Sequence, residues 1–120
     1  MEKIHFDCDY MAGAHPEILR RLTETNLFKT AGYGYDDYTR SAEKLILKEC
    51  GLTQGRVHFL VGGTQTNATV IDGLLHQYEG VIATEFGHVN VHESGAIEAS
   101  GHKVLTLPAH NGKIDAEELK

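Results

Sequence analysis

Apolar positions along the first half of the chain recur at helical intervals. Ile18, Leu19, Leu22 and Leu27 form a broken stripe, and Pro16 suits the first turn, where a missing N–H costs nothing. Ala42, Leu45, Ile46 and Cys50 repeat the spacing in a second helix, with Thr39 or Ser41 as its cap and Gly51 as its stop. A third helix is predicted from about Thr64 to His76, with Val70, Ile71, Leu74 and Leu75 toward a core. Between the helices lie short β-rich runs. Ile4-His5-Phe6 is a strand candidate and Val57-His58-Phe59-Leu60-Val61 is the clearest one. Val81-Ile82-Ala83-Thr84 reads as a short buried strand, and Lys103–Leu107 alternates until Pro108 ends it. Strand, helix, strand over residues 57–84 predicts a βαβ unit with parallel pairing. Residues 9–14 and 32–38 read as loops, and 85–102 as irregular with one or two helical turns near His88. The expected class is therefore α/β, a mostly parallel sheet with flanking helices. Residues 1–56 form an N-terminal segment with helices, and 57–120 begin the sheet.

The last residues add an expectation about extent. Asp115-Ala116-Glu117-Glu118 has the acidic cap and acidic first turn of a helix, yet only Leu119 and Lys120 follow. A helix so short has little stability of its own, so the sequence predicts the front portion of a longer, apparently truncated protein. Charge narrows the partners. With 11 Lys+Arg against 17 Asp+Glu, the formal charge is 11 − 17 = −6. That balance argues against broad electrostatic binding to nucleic acid or anionic lipid. The apolar runs are too short to span a bilayer, and the N-terminus lacks the marks of a secretory or transit leader. Cys8 and Cys50 stand far apart with no CxxC, which predicts no disulfide framework and a cytoplasmic setting.

Three segments carry candidate chemistry. In Phe59-Leu60-Val61-Gly62-Gly63-Thr64-Gln65-Thr66-Asn67 a strand is expected to turn through two glycines into a helix. The first amides of that helix, its dipole and the Thr64 hydroxyl suit an anion such as phosphate. No Walker lysine follows and GxGxxG is absent, so the residues alone suit a tight turn with a Thr cap or a phosphate site equally. Glu85-Phe86-Gly87-His88-Val89-Asn90-Val91-His92-Glu93-Ser94-Gly95 follows the strand at 81–84 directly. Loops at the carboxyl ends of parallel strands converge on a ligand crevice. There His88 could stack on a flat ring, move a proton, bind metal with His92 and Glu93 across a helical face, or be structural. Tyr33-Gly34-Tyr35-Asp36-Asp37-Tyr38 resembles a binding loop, and equally an aromatic loop packed on the domain or a subunit contact. Cys8 reads as a buried inert thiol.

Taken together, these segments resemble the threonine aldolase and β-eliminating lyase group of pyridoxal-phosphate enzymes, of aspartate-aminotransferase-type fold. Asp9 with Gly13-Ala14-His15-Pro16 is similar to the family's opening segment, and Tyr33-Gly34-Tyr35-Asp36 to its Tyr-Gly-x-Asp loop. Gly63-Thr64-Gln65-Thr66-Asn67 resembles its Gly-Thr-x-x-Asn phosphate loop, and His88 with Glu93 and Gly95 its His-x4-Glu-x-Gly stretch. The resemblance implies pyridoxal 5′-phosphate as cofactor, its phosphate on Gly63, Thr64 and Gln65. It implies His88 as the catalytic residue stacked on the ring, and Tyr33 and Glu93 near the substrate pocket. It also implies a homo-oligomer, dimer or tetramer, and cleavage of β-hydroxy amino acids such as threonine to glycine and an aldehyde. The family's Schiff-base lysine, pyridine-nitrogen carboxylate and substrate arginine would lie beyond residue 120. None of Lys103, Lys113 and Lys120 stands in a matching context, and Cys8 occupies a place where the family often has Ser. The 120 residues alone are therefore expected to be inactive. The alternatives are another pyridoxal-phosphate lyase or decarboxylase on the same scaffold, and a non-enzymatic metal- or phosphate-binding module.

Overall fold

The computed structural model describes residues 3–8 and 10–119. Asp9 of the opening segment and Lys120 lie outside them. The contacts divide the chain into two units, Met1–Val57 and His58–Lys120.

The first unit holds two helices, α1 (Pro16–Thr25) and α2 (Asp37–Glu49). His15 caps α1, its Nδ1 accepting from the Glu17 amide at 3.2 Å, and Pro16 occupies the first turn as expected. Along α1, Arg20 bridges Glu17 and Glu24 one turn to either side and holds the Glu17 carboxyl below its usual pKa. The cap of α2 is Asp36, not Thr39 or Ser41. Its carboxylate accepts from the Thr39 amide at 2.8 Å and the Thr39 hydroxyl at 2.7 Å. An acid three residues ahead of a hydroxyl satisfies two donors at once, which neither hydroxyl residue could do as the cap. Gly51, at φ 66°, ends α2 in a Schellman turn. Leu52 N–H donates to Leu47 O at 2.9 Å and Gly51 N–H to Lys48 O at 3.0 Å. No described residue of this unit is buried. Cys8 is only partly covered, not buried, because the residues around it are exposed. Ile4-His5-Phe6 forms no strand, since an isolated run of three has nothing to pair with.

The second unit runs α3 (Gly63–Leu74), β1 (Gly80–Thr84), α4 (His88–Val91), α5 (Ala96–Ala99), β2 (Lys103–Leu107) and a 3-10 turn (Ala116–Leu119). β1 and β2 pair in parallel, Gly80 opposite Lys103 through Thr84 opposite Leu107. The parallel crossover is thus β1, α4 and α5, β2, not residues 57–61 with α3 and β1. Residues 57–61 form no strand, because β-propensity makes a strand only where a ladder partner exists. Val81, Ala83 and Val104 lie on the packed sheet face, and Ile97 of α5, fully buried, fills the space above them. The opposite face is half open among the described residues. Ile82 and Leu105, partners across the ladder, are 48% and 44% exposed, so β1 is covered on one side only.

α3 turns Ala68 and, as expected, Ile71 toward this core, and Leu75 is half-buried, while the expected Val70 and Leu74 face out. Asp72, next along α3, meets His102, whose buried ring stands 3.1 Å from Asp72 Oδ1 and 3.3 Å from Glu79 O. That ring ties the end of α3 to the start of β2. A Cβ on Gly80 would lie 2.6 Å from Lys103 O, so no other residue lets the strands approach this closely.

Candidate functional site

The start of α3 leaves polar backbone unsatisfied. Gly62, the N-cap, has extended backbone (φ −173°, ψ 175°) that any residue adopts, and no side chain caps the helix. The first helical bond runs from Thr66 N–H to Gly62 O at 3.0 Å, so the amides of Gly63, Thr64 and Gln65 have no partner among the described residues. The Gln65 side chain is engaged elsewhere. Its Oε1 accepts from Val61 N–H at 2.8 Å, so Gln65 reaches back over the entering chain as a third-position residue does in a capping box. Its main-chain N–H and the Nε2 amide remain as donors for a ligand. The Thr66 hydroxyl donates to Gly62 O at 2.9 Å, further fixing the turn. A Cβ built on Gly62 or Gly63 would meet nothing within 4 Å. Neither glycine is therefore demanded by backbone angle or crowding, and the amide edge lies open.

His88 opens α4 directly after the tight turn that follows β1. Gly87 N–H donates to Thr84 O at 2.8 Å, and a Cβ on Gly87 would come within 3.0 Å of that same oxygen. Glycine there lets α4 start against the strand end. The His88 side chain is 65% exposed, and its ring lies 5.3 Å from that of His92, one turn on. The expected shared face thus exists. Among the described residues, no group of three or more His, Cys, Asp or Glu gathers to hold a metal ion.

Glu93 and Asn67 complete the arrangement. The Glu93 carboxylate is buried, and its Oε1 accepts from Asn67 Nδ2 at 2.6 Å and stands 3.5 Å from His88 Nε2. Its Oε2 is buried with no hydrogen-bond partner among the described residues. Asn67 sits in the second turn of α3, so one carboxylate links the helix of the open amides to the exposed imidazole. Sequence reading placed Asn67 in a motif without giving it a role. The signal was its position four residues after Gly63, on the α3 face that carries Ala68 and Ile71 inward.

Tyr33 belongs to the first unit. It has φ 60°, precedes Gly34 at φ 79°, and its ring is fully exposed. The adjoining Tyr35, Asp36 and Tyr38 line a cavity of about 540 Å³ with Phe28 and Arg40. The Asp36 carboxyl there is held below its usual pKa by the Thr39 hydroxyl and amide.

The sequence pattern of the β-eliminating lyase family matches residues 6–120. The chain belongs to the threonine aldolase/β-eliminating lyase family. Within that family it is 30% identical over 121 aligned residues to a low-specificity L-threonine aldolase from a Pseudomonas species, covering 96% of this chain and 34% of that protein. A low-specificity L-threonine aldolase from Pseudomonas aeruginosa is 29% identical over 117 residues, with the same coverage. The structure of a threonine aldolase from Leishmania major superposes with a TM-score of 0.86 at 43% identity, over 92% of this chain and 32% of that one. The chain thus spans about a third of the length of these family members. The fold is the α/β fold of pyridoxal-phosphate-dependent transferase-like enzymes, with a parallel sheet and flanking helices.

Proposed function

We propose that this chain supplies the phosphate loop and the ring-facing histidine of a pyridoxal-phosphate-dependent aldolase that cleaves β-hydroxy amino acids, threonine among them, to glycine and an aldehyde. The observation that carries the reading is the uncapped start of α3, with three free amides on an open backbone edge. The residues suit the cofactor. The amides of Gly63, Thr64 and Gln65 converge where a phosphate dianion gains from the positive helix end, a term of about 0.3–2 kcal/mol. The Thr64 hydroxyl adds a donor. When bound, the cofactor supplies an electron sink for the charge left at Cα as the Cα–Cβ bond breaks.

The chain's own residues do the rest. His88 lies against the ring, orients it, and accepts or returns the substrate proton. Tyr33 borders the substrate, in a homo-oligomer whose neighbouring subunit completes the pocket. None of the lysines on the chain is assigned to the cofactor. The 120 residues mixed with pyridoxal phosphate and borohydride should therefore yield no specific reduced lysine adduct and release no glycine from threonine.

The decisive test replaces Thr64 by Val and His88 by Gln in the full-length protein. Cofactor retention, followed by absorbance, should fall in the first, and glycine release from threonine in both. Cofactor affinity and rate unchanged in both variants would remove the assignment. Glycine release undetectable in the unaltered protein, with β-elimination from serine instead, would favour a different lyase on the same scaffold.

A further inference from the structure

We propose that Glu93 is a positioning residue that fixes which nitrogen of His88 carries the proton. The inference rests on the reading of His88 as the group that faces the cofactor ring, and it gives that imidazole a defined chemical state. An ionised carboxylate only accepts hydrogen bonds. With Glu93 Oε1 3.5 Å from His88 Nε2, the favoured neutral imidazole carries its hydrogen on Nε2 and leaves Nδ1 as the basic nitrogen. The 3.5 Å separation is an ion-pair distance.

The backbone around Glu93 is fixed on both sides. His92 N–H donates to His88 O at 2.9 Å, and Ala96 N–H donates to Glu93 O at 3.0 Å. Ser94 and Gly95 follow at φ 52° and 75°, a left-handed pair that turns the chain sharply after Glu93. A non-glycine residue held there costs backbone energy and marks a position the surroundings over-determine. The turn keeps the carboxylate inside, where its side chain is 0% exposed. Asn67 Nδ2 holds Oε1 at 2.6 Å, and Oε2 is buried without a donor among the described residues. The carboxylate therefore has acceptor capacity to spare, and the His88 N–H beside it is the polar hydrogen it can take. Through Asn67 the same carboxylate is tied to α3, so a shift at the open amides and a shift of the imidazole share one anchor. Its burial gives Glu93 an orienting task behind His88, whereas the family resemblance had set it beside the substrate.

The test reads the tautomer, not only the rate. Full-length protein labelled with 15N-histidine is compared with and without pyridoxal 5′-phosphate, the His88 signals being assigned by loss in His88→Gln. The unaltered protein should show neutral His88 with hydrogen on Nε2. A dominant Nδ1–H form overturns the proposal with no variant needed. Glu93→Gln, nearly isosteric, should yield a mixture of both tautomers and a fall of roughly tenfold or more in kcat. Asn67→Ala should loosen the preference in the same direction. An unchanged tautomer in Glu93→Gln overturns the proposal whatever the rate does. A tautomer that responds to Glu93→Gln, alongside cofactor retention and turnover that ignore His88→Gln, supports the positioning role and removes the cofactor reading instead.

Discussion

In the first unit two helices start on side-chain caps and bury no described side chain; in the second, a pair of five-residue strands and two helical turns bury Ile97 completely. The contrast separates two sources of order. Helices α1 and α2 follow from local chemistry: a histidine and an aspartate accept orphan amides, and a glycine takes the left-handed turn that ends α2. Such chemistry sets where a helix starts and stops, and leaves open what its apolar face will meet. Ile18, Leu19 and Leu22 remain more than half exposed within their unit. The second unit depends on contacts between residues distant in sequence. Val104 lies beside Val81 and beneath Ile97 only because the crossover returns in the right register. The candidate site belongs to that second kind of order, since Asn67 and Glu93 stand 26 residues apart.

The largest effect should expose this difference directly. Ile97→Ala removes the one fully buried large apolar side chain among the described residues and should cost about 2–5 kcal/mol, the range for a core truncation that leaves a cavity. Leu22→Ala in the same background should cost much less, because the leucine is 59% exposed within its unit. Urea unfolding followed by circular dichroism measures both. Equal losses would show that the apolar face of α1 is covered as fully as the sheet, and the comparison would fail.

The same division explains what could be read from the sequence. Pro16 and Gly51 marked real helix boundaries because each acts through its own backbone. The two paired strands were legible from short β-rich runs, and the helical turn at His88 from its place after β1. Val57–Val61 has the strongest strand composition and forms none, since composition cannot supply a partner. The cap of α2 is Asp36 in place of the expected Thr39 or Ser41, and Thr39 cooperates with it, its hydroxyl donating to the acid. Asn111-Gly112, at φ 53° and 78°, closes a small antiparallel bridge between His110 and Lys113, as an Asn-Gly pair favours. The glycine turn into α3 and the place of His88 after β1 were legible as residue types. The Asn67–Glu93 bond was not, because no periodicity predicts which side chain of a helix meets a loop 26 residues later.

Acid should sharpen the local half of the comparison. The Thr39 hydroxyl and amide hold the Asp36 carboxyl below its ordinary pKa, so its capping contribution is fully present above the unfolded-state value. It should vanish as pH falls through the lower, folded-state value. Asp36→Ala should remove that pH dependence and fray α2 at its first turn, seen as faster amide exchange at Thr39 and Arg40. Exchange at Ile97 should stay as slow as before. Slowed exchange lost in both places would mean the caps of one unit and the core of the other open together.

The smallest effect lies at the rim of the second unit, where exposed pairs behave like those on α1. His110 Nε2 stands 2.9 Å from Glu118 Oε1 across the 3-10 turn. That hydrogen bond, then the Glu118 charge itself, raise the His110 pKa above its ordinary value, with Asp115 and Glu85 adding to the pull. A raised imidazole contributes stability that is complete below the unfolded-state pKa and is lost as pH rises through the folded-state one. The 3-10 turn should therefore loosen as pH rises past the ordinary histidine range, while Ile97 and the β1–β2 ladder do not respond. His110 is half exposed, so added salt should shrink the effect. Titration of the His110 ring by NMR in the unaltered protein and in Glu118→Gln decides the matter: the variant should titrate at lower pH. Identical midpoints would show that the ion pair does not hold in solution, and that the rim of the second unit has less local order than the caps of the first.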